Sequence, residues 1–270
     1  MRLGIRVRAD RAEVALARLL PILQAGAEER EEASAVEYAL YAPAGELPPL
    51  EEVRALAGDA LLDVCAEPVA DGWDVRWHEH LRPVRVGDLV VRPPWIDGSP
   101  DDLVIDPGTF FGAGTHPTTR MCLELLQDCP AGGALCDWGA GTGVLAIAAA
   151  RLGWSPVTAI ELDAAALDLI GANAARNHLE VKAVAGDVRK RAPWAPTVAA
   201  NLPKPLLLDA ARTIAPAGRR DGTPGAAHER VIAAGMLAGE AGEVVAAYEP
   251  LGLRERRRVE EDGWAALVLA

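Results

Sequence analysis

Asp137-Trp138-Gly139-Ala140-Gly141-Thr142-Gly143 stands between the apolar run Ala134-Leu135-Cys136 and the apolar stretch Val144-Leu145-Ala146-Ile147-Ala148-Ala149-Ala150, and it leaves this chain few ways to fold. A short buried strand runs into three glycines spaced by single residues and then into an Ala-rich helix. Backbone N–H groups at such a turn can approach a ligand closely. The pocket is of nucleotide type. Eighteen residues past Gly143, after the strand-like Val157-Thr158-Ala159-Ile160, stands Glu161. A carboxylate there can accept hydrogen bonds from both hydroxyls of a ribose.

Gly141-x-Gly143-x-x-Ala146 also fits the dinucleotide fingerprint, so that string alone leaves a nicotinamide ligand open. Asp137, placed before the glycines, points the other way. It would repel a pyrophosphate and suits a ligand with an ammonium and a sulfonium, as S-adenosylmethionine has. Asp187 follows the strand-like run 181–185, placed to meet an adenine amino group, and Asn201 follows Val198-Ala199-Ala200. Polar residues thus follow four successive strands, and open α/β sheets bind ligands at the carboxyl ends of their strands. A methyl donor is favoured over NAD.

The 270 residues suffice for a catalytic domain with a smaller companion. A formal charge of −12 argues against a basic grip on nucleic acid and would attract a basic protein partner, although acidity also serves solubility. Cys65, Cys122, Cys129 and Cys136 form no C-x-x-C pair or metal-ligand cluster and read as reduced, mostly buried thiols, with no metal implied. The N-terminus does not resemble a signal peptide, and no apolar run has the length of a membrane span. A cytoplasmic protein without membrane contact is expected.

Three regions are expected. Residues 1–77 read as an α+β unit of ferredoxin-like order. Leu3, Ile5 and Val7 alternate with arginines in a first strand, Asp10 caps a helix with Glu13 completing a capping box, and Val14, Leu16, Leu19, Leu20 and Leu23 form its apolar stripe. A strand around 36–41, a helix around 49–57 and strands near 61–66 and 73–77 follow. Residues 78–105 are Pro-rich and read as a linker with a docking strand. Residues 106–270 alternate helix 117–128, strand 134–138, helix 143–152, strand 156–161, helix 163–177, strands 181–185 and 196–200, helix 205–214, strand 230–234 and helix 239–248. That alternation demands a mainly parallel sheet with helices on both faces. The polar stretch 216–229 reads as a surface insertion. Arg254–Val259 and Trp264–Leu269, joined through Asp262-Gly263, imply an antiparallel hairpin at the end of the sheet.

The segment Asp106-Pro107-Gly108-Thr109-Phe110-Phe111-Gly112-Ala113-Gly114-Thr115-His116-Pro117-Thr118-Thr119 resembles a family signature. It is similar to the Pro-Gly-x-x-Phe-Gly-x-Gly-x-His-x-Thr-Thr loop that closes over S-adenosylmethionine in the ribosomal protein L11 methyltransferases, the PrmA family, with every named position kept. The resemblance extends to Trp77, Pro83-Val84-Arg85-Val86-Gly87, Pro94-Trp95, the glycine turn, Glu161, Asn201 and Gly235-Met236-Leu237. It implies a Rossmann-like, seven-stranded class I methyltransferase domain behind a small N-terminal substrate-recognition domain. It also implies that Thr119, Gly139, Glu161 and Asn201 touch the methyl donor and that Phe110, Phe111, Gly112 and Gly114 shape a lid. With the reading of the residues themselves, the expected donor site is Phe111, Gly112, Thr119, Asp137, Gly139, Gly141, Gly143, Glu161, Asp187 and Asn201, with Asn201 as the catalytic residue. His116 is a candidate base or a helix-start residue.

The chain departs from the family pattern at three places, and the last bears on the acceptor. Glu161 stands where the family often has an aspartate, Trp138 where a plainer apolar residue is common, and Leu202-Pro203-Lys204-Pro205 where aliphatic residues usually follow the asparagine. The last run partly resembles the Asn-Pro-Pro-Tyr motif of amide and amine methyltransferases. The resemblance implies methylation of a lysine or N-terminal amine of a large-subunit ribosomal protein, with no direct nucleic-acid contact, and the last departure is what keeps a different acceptor open. Another protein or a small amine as acceptor, or a sensor that binds the donor without turnover, are the alternatives.

Overall fold

The computed structural model describes residues 1–23, 28–31, 34–41, 47–68, 81–190, 195–214 and 228–270, which fall into two compact units, Met1–His80 and Leu81–Ala270.

In the first unit, strand β1 (Arg2–Arg8) leads to helix α1 (Ala12–Leu23), strands β2 (Glu28–Glu31) and β3 (Ala35–Tyr41), helix α2 (Leu50–Ala57) and strand β4 (Leu61–Glu67). The strands pair antiparallel in the order β2-β3-β1-β4, the ferredoxin-like arrangement. Alternation does what the sequence implied: Leu3, Ile5 and Val7 are fully buried with Leu19, Tyr38, Val53 and Ala57, while Arg2 pairs with Glu37 at 2.8 Å and Glu67 at 3.2 Å. Asp10 does not cap the helix. It lies inside a 3-10 turn, Ala9–Arg11, where both its oxygens are taken by the Arg8 guanidinium at 3.0 and 2.7 Å. The Glu13 side chain and the expected strand 73–77 lie outside the described residues. Among the described residues the sheet's further strand is β2, Glu28-Glu29-Arg30-Glu31, which stands at the end of the order paired to β3 and has no apolar alternation, as is common for charged edge strands.

The second unit begins inside the stretch expected as a linker. There β5 (Val84–Val86), β6 (Leu89–Arg92) and β7 (Leu103–Val104) form a three-stranded sheet whose Val86, Leu89, Val91 and Leu103 join the core. The chain continues through α3 (Pro117–Asp128), β8 (Leu135–Trp138), α4 (Val144–Leu152), β9 (Val157–Glu161), α5 (Ala164–Arg176), β10 (Lys182–Ala185), β11 (Thr197–Asn201), α6 (Lys204–Thr213), β12 (Arg230–Leu237), α7 (Ala241–Tyr248), β13 (Glu255–Glu261) and β14 (Trp264–Leu269). The seven-stranded sheet runs β10-β9-β8-β11-β12-β14-β13. Its first five strands are parallel, and β14 is antiparallel to both neighbours. Asp262 and Gly263 both have positive φ (49° and 78°), as a tight hairpin turn of this hand requires. The expected insertion at 216–229 falls almost wholly on residues outside the description. Among the described residues no helix is long and apolar enough to cross a membrane.

Successive strand residues feed two cores. Val198 and Ala200 pack with Leu207, Ala210, Val244 and Tyr248 under α6 and α7, and Ala199 packs with Met121, Leu125, Leu145 and Ile170 under α3, α4 and α5. The same period places Cys136 and Trp138 on the α6 and α7 side and turns Asp137 toward α4. The strand order reverses between β8 and β11. At such a switch point the carboxyl ends of the strands leave a crevice.

Candidate active site

Gly139, Gly141 and Gly143 follow β8 with φ of 70°, 53° and 81°, a backbone that L side chains rarely adopt. Gly139 and Ala140 donate to the Ile160 carbonyl at 2.9 and 3.0 Å, tying the turn to β9. A Cβ on Gly141 would lie 2.5 Å from the Phe111 carbonyl oxygen, so the glycine is required by another segment's backbone. That segment is the expected lid. Thr142 donates its N–H to Phe111 O at 3.1 Å and its hydroxyl to Gly112 O at 2.9 Å. The Phe111 side chain is 54% exposed, its ring edge-on to His116 at 5.2 Å, and His116 is edge-on to Trp264 of β14 at 5.1 Å.

Two carboxylates meet the turn. Glu161, at the end of β9, accepts the Gly141 N–H at 3.0 Å on Oε2 and the Leu162 N–H at 2.6 Å on Oε1. Asp137 is 1% exposed, and its Oδ2 accepts the N–H of Ala146 in the first turn of α4 at 3.0 Å, while Oδ1 has no partner. Burial pushes its pKa up to about 7; the Ala146 N–H opposes that shift and the Glu161 charge adds to it.

Asn201, the last residue of β11, donates Nδ2–H to the hydroxyl of Thr119 at 3.3 Å. Thr119 is buried in the first turn of α3. The next residue, Leu202, donates to Ala234 O at 2.9 Å and packs so tightly that a Cβ on Gly139 or Gly235 would collide with it. This accounts for Gly235 at the bulge where β12 shifts register against β14. Lys204 is held by Glu240 at 3.0 Å and Glu243 at 3.2 Å. Glu240 also accepts the Leu237 N–H at 3.0 Å, so the turns after β11 and β12 are joined.

His116 is the N-cap of α3: its Nδ1 accepts the Thr118 N–H at 3.3 Å and lies 2.8 Å from the Thr118 hydroxyl. Burial and then Arg120 lower its pKa, and an Nδ1 that accepts the Thr118 N–H has its lone pair engaged. Asp187 follows β10, but both its oxygens are taken by Arg189 at 2.9 Å, which holds the carboxyl below the usual range. Trp138 is fully buried against His228.

The structure thus brings Phe111, Gly112, Thr119, Gly139, Gly141, Gly143, Glu161 and Asn201 to the carboxyl ends of β8, β9 and β11 or to the loop above them. Sequence reasoning passed over Arg120, which ties α3 to Glu261 of β13 and to the Thr115 carbonyl, and it passed over Asn173 and Asn177. Two asparagines four apart on an Ala-rich helix were the available signal.

Residues 50–270 match the family described as "Ribosomal protein L11 methyltransferase (PrmA)". A ribosomal protein L11 methyltransferase of Pelotomaculum thermopropionicum is 40% identical over 206 residues, covering 73% of this chain and 65% of the relative. One of Symbiobacterium thermophilum is 33% identical over 227 residues, covering 81% and 72%. The chain thus spans about two thirds of the length of the curated relatives it matches. The crystal structure of a ribosomal protein L11 methylase from Lactobacillus delbrueckii subsp. bulgaricus superimposes with a TM-score of 0.62 at 21% identity, over 70% of this chain and 98% of that one, and shares the fold.

Proposed function

The chain belongs to the ribosomal protein L11 methyltransferase (PrmA) family, and from that membership and the site we propose that it transfers a methyl group from S-adenosylmethionine to an amino group of a ribosomal protein. One observation carries the reading. The glycine turn, Glu161 and the Asn201–Thr119 pair converge at the strand ends beneath a loop docked on that turn through Phe111 and Gly112. The residues fit this donor. Asp137, at the turn with one unpartnered oxygen, suits a cation and disfavours the pyrophosphate of a dinucleotide, while Glu161 suits the ribose.

In this reading Glu161 accepts the ribose hydroxyls, the backbone of Gly139 and Gly141 lies along the ligand, and Asp187, with Arg189 attached, borders the adenine. S-adenosylmethionine supplies a methyl group already activated by its sulfonium. The protein's task is positioning and the exclusion of water. Asn201, its amide nitrogen steadied by Thr119, offers Oδ1 to an N–H of the neutral acceptor amine and so aims the nitrogen lone pair. Carbonyl dipoles and acidic residues favour the positive charge that grows on that nitrogen. The amine's proton leaves to bulk water, because His116 Nδ1 is committed to Thr118. The Phe111 loop covers the site.

Residues 1–77 serve substrate recognition and residues 106–270 catalysis, with the reaction in the cytoplasm where ribosomal proteins are available. A lysine or N-terminal amine is the acceptor. A small amine is the second reading, favoured by the run Leu202-Pro203-Lys204-Pro205, in which Lys204 is tied to Glu240 and Glu243 at the acceptor end. Incubation with methyl-labelled S-adenosylmethionine, separated ribosomal proteins and a set of small amines tests the proposal. Label on one ribosomal protein is expected, and label confined to small amines would favour the second reading.

A further inference from the structure

Asn173 and Asn177 lie one turn apart on and just after α5, 0% and 6% exposed, and each side-chain amide pairs with one residue of the segment leading into the lid loop. Asn177 accepts the Val104 N–H at 2.8 Å and donates to the Val104 carbonyl at 2.7 Å. Asn173 repeats the pattern on Asp106, accepting its N–H at 2.9 Å and donating to its carbonyl at 2.9 Å. The spacings match: four helical residues rise about 6 Å, and two extended residues span about 6.6 Å. The two carboxamides therefore stand in for a neighbouring strand and satisfy backbone groups that burial would otherwise leave unpaired.

Asn173 makes one bond that Asn177 does not. Its second Nδ2 hydrogen goes to the Thr142 carbonyl at 3.0 Å, in the glycine turn, whereas that of Asn177 stays within the helix on Asn173 O at 2.8 Å. Thr142 is also the residue whose N–H and hydroxyl hold Phe111 and Gly112. The amide can take only this orientation: Oδ1 faces the Asp106 N–H and Arg176 Nη1, and Nδ2 faces two carbonyls.

We propose that Asn173 is a positioning residue for the methyl donor, coupling the base of the lid loop to the glycine turn so that both walls of the donor pocket are set together. This rests on the methyl-donor reading of that pocket. Without the amide, the Asp106 and Thr142 carbonyls lose their common partner and the two walls move independently.

Hydrogen exchange on the ligand-free full chain and calorimetric titration with S-adenosylhomocysteine test the coupling in Asn173→Ala, Asn173→Asp and Asn177→Ala. Asn173→Ala removes the two donations, whereas Asn173→Asp keeps the acceptor for the Asp106 N–H but sets a carboxylate oxygen against the Asp106 and Thr142 carbonyls and so opposes the coupling directly. Both Asn173 variants should speed exchange in residues 106–116 and 139–144 together and weaken binding about tenfold, or ~1.4 kcal/mol. Asn177→Ala should speed exchange only around residues 102–106 and leave affinity near wild type, even at an equal loss of Tm. Faster exchange in 106–116 alone, or an equal loss of affinity in Asn177→Ala, would overturn the proposal. Wild type that binds neither S-adenosylhomocysteine nor S-adenosylmethionine would refute the donor reading, while the exchange pattern would still decide whether the two segments are coupled.

Discussion

Gly141 donates its backbone N–H to Glu161 at 3.0 Å, so the turn after β8 and the carboxylate after β9 form one unit. The carboxylate is oriented before any ligand arrives, which lowers the ordering cost of binding. Glu161→Ala should weaken S-adenosylmethionine binding by about ten- to a hundredfold, since charge-assisted bonds to the ribose are worth roughly 1.5–3 kcal/mol. Calorimetry on the folded variant measures this, and unchanged affinity would remove Glu161 from the site.

Asn201 is proposed to meet the acceptor rather than the donor alone. Asn201→Ala should lower kcat by about two orders of magnitude while donor affinity falls much less, the pattern of a contact made in the transition state. Steady-state kinetics beside equilibrium binding separates the two. Equal losses would make Asn201 a donor ligand only.

Asp137 gives stability a definite pH dependence. Its pKa is raised from 3.8 to about 7 in the folded chain, so between those values the folded state holds a proton that the unfolded state has lost. Stability therefore falls as pH rises through that window and levels off above it, by up to roughly 4 kcal/mol at about 1.4 kcal/mol per pH step. Asn at this position keeps an acceptor for the Ala146 N–H and cannot ionise. In a Tm series without ligand, Asp137→Asn should match wild type near pH 4 and exceed it at pH 8; the same difference at both pH values would count against the burial argument.

His116 acts as a cap, and capping has a different signature from base catalysis. His116→Asn, which can also accept the Thr118 N–H, should retain stability and activity, while His116→Ala should lose about 1 kcal/mol. The pH profile of kcat/KM should be the same in wild type and His116→Asn. An inflection near neutral pH that disappears with the histidine would restore it as a base.

The first unit, Met1–His80, has its own core of Leu3, Ile5, Leu19, Tyr38 and Val53. A chain starting at Leu81 should still bind the methyl donor but lose methylation of the ribosomal protein, because the pocket alone holds that acceptor in too many orientations. A cooperative thermal transition must first establish that the shortened chain folds. Undiminished methylation by it would refute the recognition role.

From residue 106 onward the strands, helices and turns of the second unit were legible because the rules that place them are local, whereas the three-stranded sheet β5-β6-β7 lay in a Pro-rich stretch read as a linker. A period of two buries Val198 and Ala200 on one face and Ala199 on the other, three glycines take positive φ at one turn, and Asp262-Gly263 closes a hairpin. The Phe111 loop and the glycine turn were equally legible as motifs. Their bonds to each other were not, since Phe111 and Thr142 meet only once β8 and α3 are packed. Edge strand β2 carries no apolar pattern, because its pairing is decided by β3 across from it. Asn173 and Asn177 read as polar positions on a helix, and they become clamps through backbone lying 67 and 73 residues away. The sequence likewise places an acid at 137, but only the packing of α4 over β8 makes it a 1% exposed group with a near-neutral pKa. A residue's chemical type and backbone preference belong to its own stretch of chain, whereas its partner and the dielectric around it are supplied by elements distant in sequence.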